Sequence, residues 1–371
     1  MKTIVTLFAL ILFLFSVGLI MIFNTTSAEI MGKESLIDPH FAMLKQVSFF
    51  LIGAVLSSVV FALGYRKMIL YSPLFYGGLL LLLSAVFLPK IGMQINGAHR
   101  WVNVGGISLQ PSEFAKVILP LFYFHLMKTQ KTDKTFWSFV LWQIPLMIPI
   151  FMIILEPDNG TAAILLTTLI VLFFLTKVKW VYWVVPITIV AVSGVTLAFN
   201  MKHARDRIYI YLHPEADLLG KGHQPYQAKI AAGSGGLFGR GLGESLQKLN
   251  YLPEARSDYI AAIYAEEFGF VGISLLILLY IGIALLGFRI ASSCRDVWGH
   301  YLASIFTFMI AFQAFLNLGV VSGVLPSKGT NLPFFSQGGS SLWSNMIMVA
   351  ILINIHVTKI REKPPQYRHI V

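Results

Sequence analysis

Charged residues are few in this chain, and many of them gather at the ends of long apolar runs, where they become candidates for chemistry. Asp258 stands in Leu252-Pro253-Glu254-Ala255-Arg256-Ser257-Asp258-Tyr259, at the head of such a run. A carboxylate there can serve as a general base: a helix start favours its charged form, and burial raises its pKa. Ser257 or Asp258 suits a plain N-cap equally well. Glu266 and Glu267 follow two turns later, deeper in the run, where they need basic partners.

A second cluster runs from Asn96-Gly97-Ala98-His99-Arg100-Trp101 to Gln110-Pro111-Ser112-Glu113-Phe114-Ala115-Lys116. Pro111 suits the first turn of a helix and Glu113 suits its positive end. Glu113 and Lys116, three apart, share a face just inside the apolar boundary, as a structural ion pair or as part of a site. Glu156-Pro157-Asp158-Asn159-Gly160 is a tight turn, and turn chemistry alone accounts for its Asp and Gly. The stretch Ala232 to Gly243 is dense in glycine and contains Arg240. It fits neither a Walker A nor a dinucleotide fingerprint, and reads as a pyrophosphate loop or a close-packing loop. Gly329 to Ser341 combines Pro, Gly and hydroxyls and ends on Ser340 and Ser341.

The elements that hold these clusters are membrane spans. Hydrophobic residues make up 56% of the 371-residue chain and charged residues 12%, whereas soluble domains carry about 25% charged residues. The apolar runs predict an all-α, polytopic protein with ten spans, at about 4–23, 46–64, 69–88, 111–127, 136–155, 160–176, 180–199, 259–288, 298–325 and 341–358. The first run is too long for a signal sequence and reads as an uncleaved helix. One transmembrane domain covers 1–371, with a large external loop at 200–257 between the seventh and eighth spans. Lys and Arg crowd the short loops on one side, including Arg66, Lys67, Lys177, Lys179, Arg289 and Arg295, which makes that side and both termini cytoplasmic. The site clusters all fall on the other side. The net charge of +11 is explained by that bias and by anionic lipid rather than by nucleic acid. A single cysteine, Cys294, excludes an internal disulfide, and no Cys/His spacing suggests zinc.

Taken in order, these elements resemble the SEDS family (shape, elongation, division and sporulation proteins), which polymerises peptidoglycan glycan strands. The resemblance is carried by Asn-Gly-Ala-x-Arg-Trp, Gln-Pro-Ser-Glu-Phe-Ala-Lys, Glu-Pro-Asp-x-Gly, the Gly-Ser-Gly-Gly loop, Leu-Pro-Glu-Ala with its following acid, and Pro-Phe-Phe-Ser-x-Gly-Gly-Ser-Ser. Leu246-Gln247-Lys248-Leu249 and Leu325-Pro326-Ser327-Lys328-Gly329 look more like the division branch (FtsW) than the elongation branch (RodA). Ser257-Asp258-Tyr259 departs from the family's usual Thr-Asp-Phe, and Gln337 from its usual Tyr.

The resemblance implies a reaction in the bacterial cytoplasmic (inner) membrane, with the active site on its extracytoplasmic side. Lipid II donates its glycan to another lipid II or to a growing undecaprenyl-linked glycan strand, and undecaprenyl pyrophosphate leaves. Asp258 matches the family's catalytic position. Arg100, Lys116 and Arg240 are candidates to hold the pyrophosphate, with or without a divalent cation such as magnesium or manganese. Glu113 would position Lys116, and Asp158, Glu266, Ser340 and Ser341 would line the substrate site. A class B penicillin-binding transpeptidase and other division-complex membrane proteins are the implied partners. Two rival classes remain: a transporter that flips lipid II, which predicts polar residues through the midplane, broken helices and often internal repeats, and a non-catalytic scaffold of the division complex.

Overall fold

The computed structural model describes residues 2–31, 40–89, 91–95, 98–129, 135–188, 209, 211–218, 220, 222–249, 252–326 and 328–361. Helices dominate: α1 (Lys2–Met31), α2 (His40–Leu63), α3 (Tyr65–Ala85), α4 (Pro111–Thr129), α5 (Phe136–Leu155), α6 (Asn159–Leu175), α7 (His223–Ser234), α8 (Ile260–Ser293), α9 (Val297–Val321) and α10 (Gly339–Arg361). Among the described residues seven helices are long and apolar enough to cross a membrane: α1, α2, α3, α5, α8, α9 and α10. α6 is apolar but 17 residues long, and α4 carries Glu113, Lys116 and Lys128. The expected span at 180–199 is helical over 180–188, and its remainder lies outside the described residues.

α4, α9 and α10 form the centre of the bundle. Two thirds of the apolar window of α10 and 61% of that of α9 are buried inside the protein, against 22% for α2. Nearly the whole first half of α4 is buried as well. A helix surrounded by protein can carry polar groups that a lipid-facing helix cannot, because neighbouring helices supply their partners. α4, α9 and α10, which carry Glu113, Lys116, Gln313 and Ser344, are inner helices of this kind.

Two features depart from the expected all-α pattern. The loop before α4 is a small antiparallel sheet, β1 (Gly92–Ile95), β2 (Ala98–Val104) and β3 (Ile107–Leu109), in the order β1-β2-β3. Val104 pairs with Ile107 across Gly105-Gly106, a two-residue turn whose positive φ angles match the twist of the strands. The second is a break in α8. Gly269 has φ 66° and ψ −162°, a conformation that a side chain would strain. The break frees backbone groups on both sides, and the glycine-rich segment fills in. Arg240 and Gly241 donate their N–H groups to the carbonyls of Glu266 and Glu267, while Phe270 and Val271 donate to Gly236 and Leu237. Gly239 lies so close to the Glu267 carbonyl that no Cβ would fit. The glycine-rich stretch is thus a close-packing loop that completes a broken helix.

Candidate active site

Four helices begin at one rim of the bundle: α4, α6, α8 and α10. A polar cavity of about 390 Å³ lies there, lined by the starts of α4, α6 and α10, by residues of α2, α9, β2 and β3, and by the segment 254–258 and the loop 329–338. Each helix start carries a partial positive charge, so those of α4, α6 and α10 make the cavity receptive to an anion. Four acids (Glu113, Asp158, Glu254, Asp258) and four bases (Lys45, Arg100, Lys116, Arg256) line it.

Asp258 lies one residue before the N-cap of α8. That cap is Tyr259, with no side-chain capping bond, so the carboxylate of Asp258 is not spent on the helix. Its backbone is held from the other wall: Ser336 Oγ donates to the Ser257 carbonyl at 2.6 Å, and Gln337 N donates to the Arg256 carbonyl at 3.0 Å. Burial pushes the Asp258 carboxyl up to about 7, with Glu254 the next cause; Asp158 and Glu113 add to it and Arg100 opposes it. A carboxyl poised near neutrality, facing a polar cavity, is suited to take a proton from a hydroxyl.

The opposite wall is built on α4. Lys116 is 1% exposed; its ammonium lies 2.6 Å from Glu113 Oε2 and donates to Gln313 Oε1 at 2.8 Å. Ser344 of α10 donates to the same Glu113 oxygen. A buried ion pair needs such extra hydrogen bonds to offset its desolvation. Lys116 is therefore fixed in position, with one of its three N–H groups beyond these two partners.

Asp158 resolves towards turn chemistry. Its Oδ1 accepts from Thr161 N, capping α6, and its Oδ2 accepts from Ser112 Oγ and Gln110 Nε2. It thereby clamps the starts of α4 and α6 together. Arg100, on β2, donates to the carbonyls of Glu156 and Pro157 and ties the sheet to the same turn. The Glu156 carboxyl is buried and pushed up to about 8, first by burial and then by Asp158, which keeps it largely neutral at pH 7. Ser340 Oγ accepts from Gln110 N at 2.9 Å, and Ser341 lines the cavity beside it.

Seven of the nine sequence-derived residues thus share one cavity. Arg240 and Glu266 lie elsewhere. Glu266 is 1% exposed, and its carboxylate accepts from Ser234, Ser245, Leu246 N and Gln247 N, with Arg240 Nε at 3.7 Å. Its neighbour Glu267 pairs with Lys248 at 2.8 Å and accepts from Asn24. These two acids fasten the glycine-rich segment to α8, which is a reason for Arg240 and Glu266 to be excluded from the substrate site. Lys45, Gln110, Glu254, Arg256 and Gln313 line the cavity and were not singled out from sequence. A larger cavity of about 690 Å³, between α7, α8 and α9, is lined by side chains such as Ile273, Ile277 and Phe315 and has no carboxylate, amine or imidazole.

For a divalent cation the donor set is poor. Among the described residues no three His, Cys, Asp or Glu side chains come together to hold one.

The family model of the FtsW, RodA and SpoVE cell cycle proteins matches residues 5–361. A probable peptidoglycan glycosyltransferase FtsW of Trichlorobacter lovleyi is 34% identical over 352 residues, covering 94% of this chain and 92% of that one. Stage V sporulation protein E of Bacillus subtilis is 36% identical over 347 residues, covering 93% and 94%. Among solved structures, the rod shape determining protein RodA of Thermus thermophilus is 25% identical with a TM-score of 0.69, over 96% of this chain and 97% of that one. A chain from a study of how a peptidoglycan synthase complex coordinates polymerization and crosslinking is 26% identical with a TM-score of 0.77, over 96% and 98%.

Proposed function

The chain belongs to the FtsW, RodA and SpoVE family of cell cycle proteins, and from that membership we propose that the cavity around Asp258 is where it polymerises glycan strands. It is a multi-pass membrane peptidoglycan glycosyltransferase. Relatives named FtsW, at 34% and 36% identity, support the division branch over the RodA branch.

Lipid II is the donor, and another lipid II or a growing lipid-linked strand is the acceptor. Asp258 takes the proton of the acceptor's sugar 4-hydroxyl as that oxygen attacks the donor's anomeric carbon. The bond from that carbon to the pyrophosphate oxygen breaks, and undecaprenyl pyrophosphate leaves with the electron pair. General-base help of this kind contributes roughly 10²–10⁴-fold. The leaving pyrophosphate is met by the starts of α4, α6 and α10 and by Lys45, Arg100 and Lys116, of which Arg100 and Lys116 are held in place before the charge develops.

The observation that carries this reading is a carboxyl poised near pH 7 at the rim of a membrane bundle, in a cavity walled by cations and helix starts. The cavity faces away from the cytoplasm because the short loops rich in Lys and Arg are at the other ends of these helices. A crosslinking partner of the class B penicillin-binding type and other membrane proteins of the division complex fit an enzyme of this kind, given the synthase complex among its structural relatives. The test is the purified protein in vesicles with labelled lipid II and a partner transpeptidase. Strands longer than one disaccharide support the reading. Movement of lipid II between leaflets with no strands would overturn it in favour of a transporter, and neither product would favour a scaffold.

A further inference from the structure

α9 is an apolar span that carries two buried amides, Gln313 at 2% and Asn317 at 1% exposure. They are four residues apart, so they stand one above the other on the same face. Each reaches the last loop: Gln313 Nε2 donates to the Asn331 carbonyl at 2.8 Å, and Asn317 Nδ2 to the Thr330 carbonyl at 2.6 Å. Each also reaches one wall of the cavity. Gln313 Oε1 accepts from Lys116 at 2.8 Å, and Asn317 Nδ2 donates to the backbone carbonyl of Asp258 at 2.8 Å.

We propose that Gln313 and Asn317 are positioning residues that set the distance between the Asp258 wall and the Lys116 wall. The proposal rests on Asp258 being the base. The two amides tie both walls and the loop between them to one helix, so the acid and the ammonium cannot drift independently. Gly329, against which the Asp258 carboxylate packs, is the residue before Thr330 and is held by the same bond. Stability alone does not account for Asn317, since its own carbonyl oxygen and the Thr330 hydroxyl are buried without a hydrogen-bond partner among the described residues. Hydrogen bonds between helices in membranes average only about 0.6 kcal/mol. Catalysis is more sensitive, because a displacement of about 1 Å can cost about 10²-fold in rate.

The test compares Asn317→Leu, which lacks the donor, with Asn317→Gln, which keeps it, and with Asp258→Asn. Strand synthesis is measured as kcat and KM for lipid II across pH 5 to pH 9. The groups facing Asp258 are Glu254 on its own segment, Arg100 on β2, Asp158 before α6 and Glu113 on α4, and none is altered. We expect Asn317→Leu to lose about tenfold or more in kcat with KM little changed. Its acid limb should move below pH 7 as Asp258 gains water, and Asn317→Gln should recover part of the rate. The pH profile does not depend on how much protein folds. An unchanged profile and kcat in Asn317→Leu, beside an inactive Asp258→Asn, overturns the positioning role alone. An active Asp258→Asn overturns the base and the positioning role together.

Discussion

The carboxylate of Asp258 occupies the space that a side chain on Gly329 would need: a Cβ built there lies 2.6 Å from Asp258 Oδ2. The last loop and the segment before α8 therefore meet as backbone against the Asp258 carboxylate. In Gly329→Ala the methyl group drives the carboxylate from its place, because the end of a side chain yields before backbone does. The expected result is a loss of about 10²-fold in strand synthesis with the melting temperature almost unchanged, measured on the same preparation.

Rate against pH follows from the same acid. Asp258 works only when deprotonated, so activity should rise with pH through about 7. Arg100 holds that value down, and its removal in Arg100→Gln should move the rising limb to higher pH as well as lower the plateau. Initial rates across pH 5 to pH 9 check both. A limb in Arg100→Gln that stays put or moves to lower pH contradicts the electrostatic link.

Stability should respond in the opposite sense to activity. The folded carboxyl is raised to about 7 from an ordinary value near 3.8, so folding favours its protonated form. Its stabilising effect is full below the ordinary value and is lost as pH rises through about 7. Asp258→Asn cannot ionise and is spared that loss. It should melt at about the wild-type temperature at pH 4 and above it at pH 8, by thermal unfolding in detergent.

The pair Lys248–Glu267 tests the clasp on the broken helix. Both side chains are at most 5% exposed. Lys248→Met leaves Glu267 charged and buried, which typically costs about 3–5 kcal/mol. Lys248→Met with Glu267→Met should recover much of that loss, and a double-mutant cycle on unfolding measures the coupling. Additive losses would mean that the two groups act independently.

Much of this site was legible because its residues lie where helices start. Pro111 with Glu113, Asp158 before Gly160, Asp258 before an apolar run and Ser340 are each marked by local signals, and one rim of a bundle gathers them. Glu266 misled for a geometric reason. It is eight residues beyond Asp258, which on a helix is about 12 Å along the axis, too far to share the cavity. Arg240 misled because the glycines around it complete a break at Gly269, a partnership across nearly thirty residues that no local pattern announces. The sheet carries its own local signal in Val104-Gly105-Gly106-Ile107, a two-glycine hairpin turn between apolar residues. Gln313 and Asn317 carried a usable signal too: two amides one turn apart within an apolar span.

The central claim is that Asp258 is the base for glycosyl transfer. The most direct measurement is strand synthesis from labelled lipid II by Asp258→Asn, on protein that melts no lower than the wild type and binds lipid II as the wild type does. The account predicts no strands above background at pH 7. Strands formed at near the wild-type rate would contradict it.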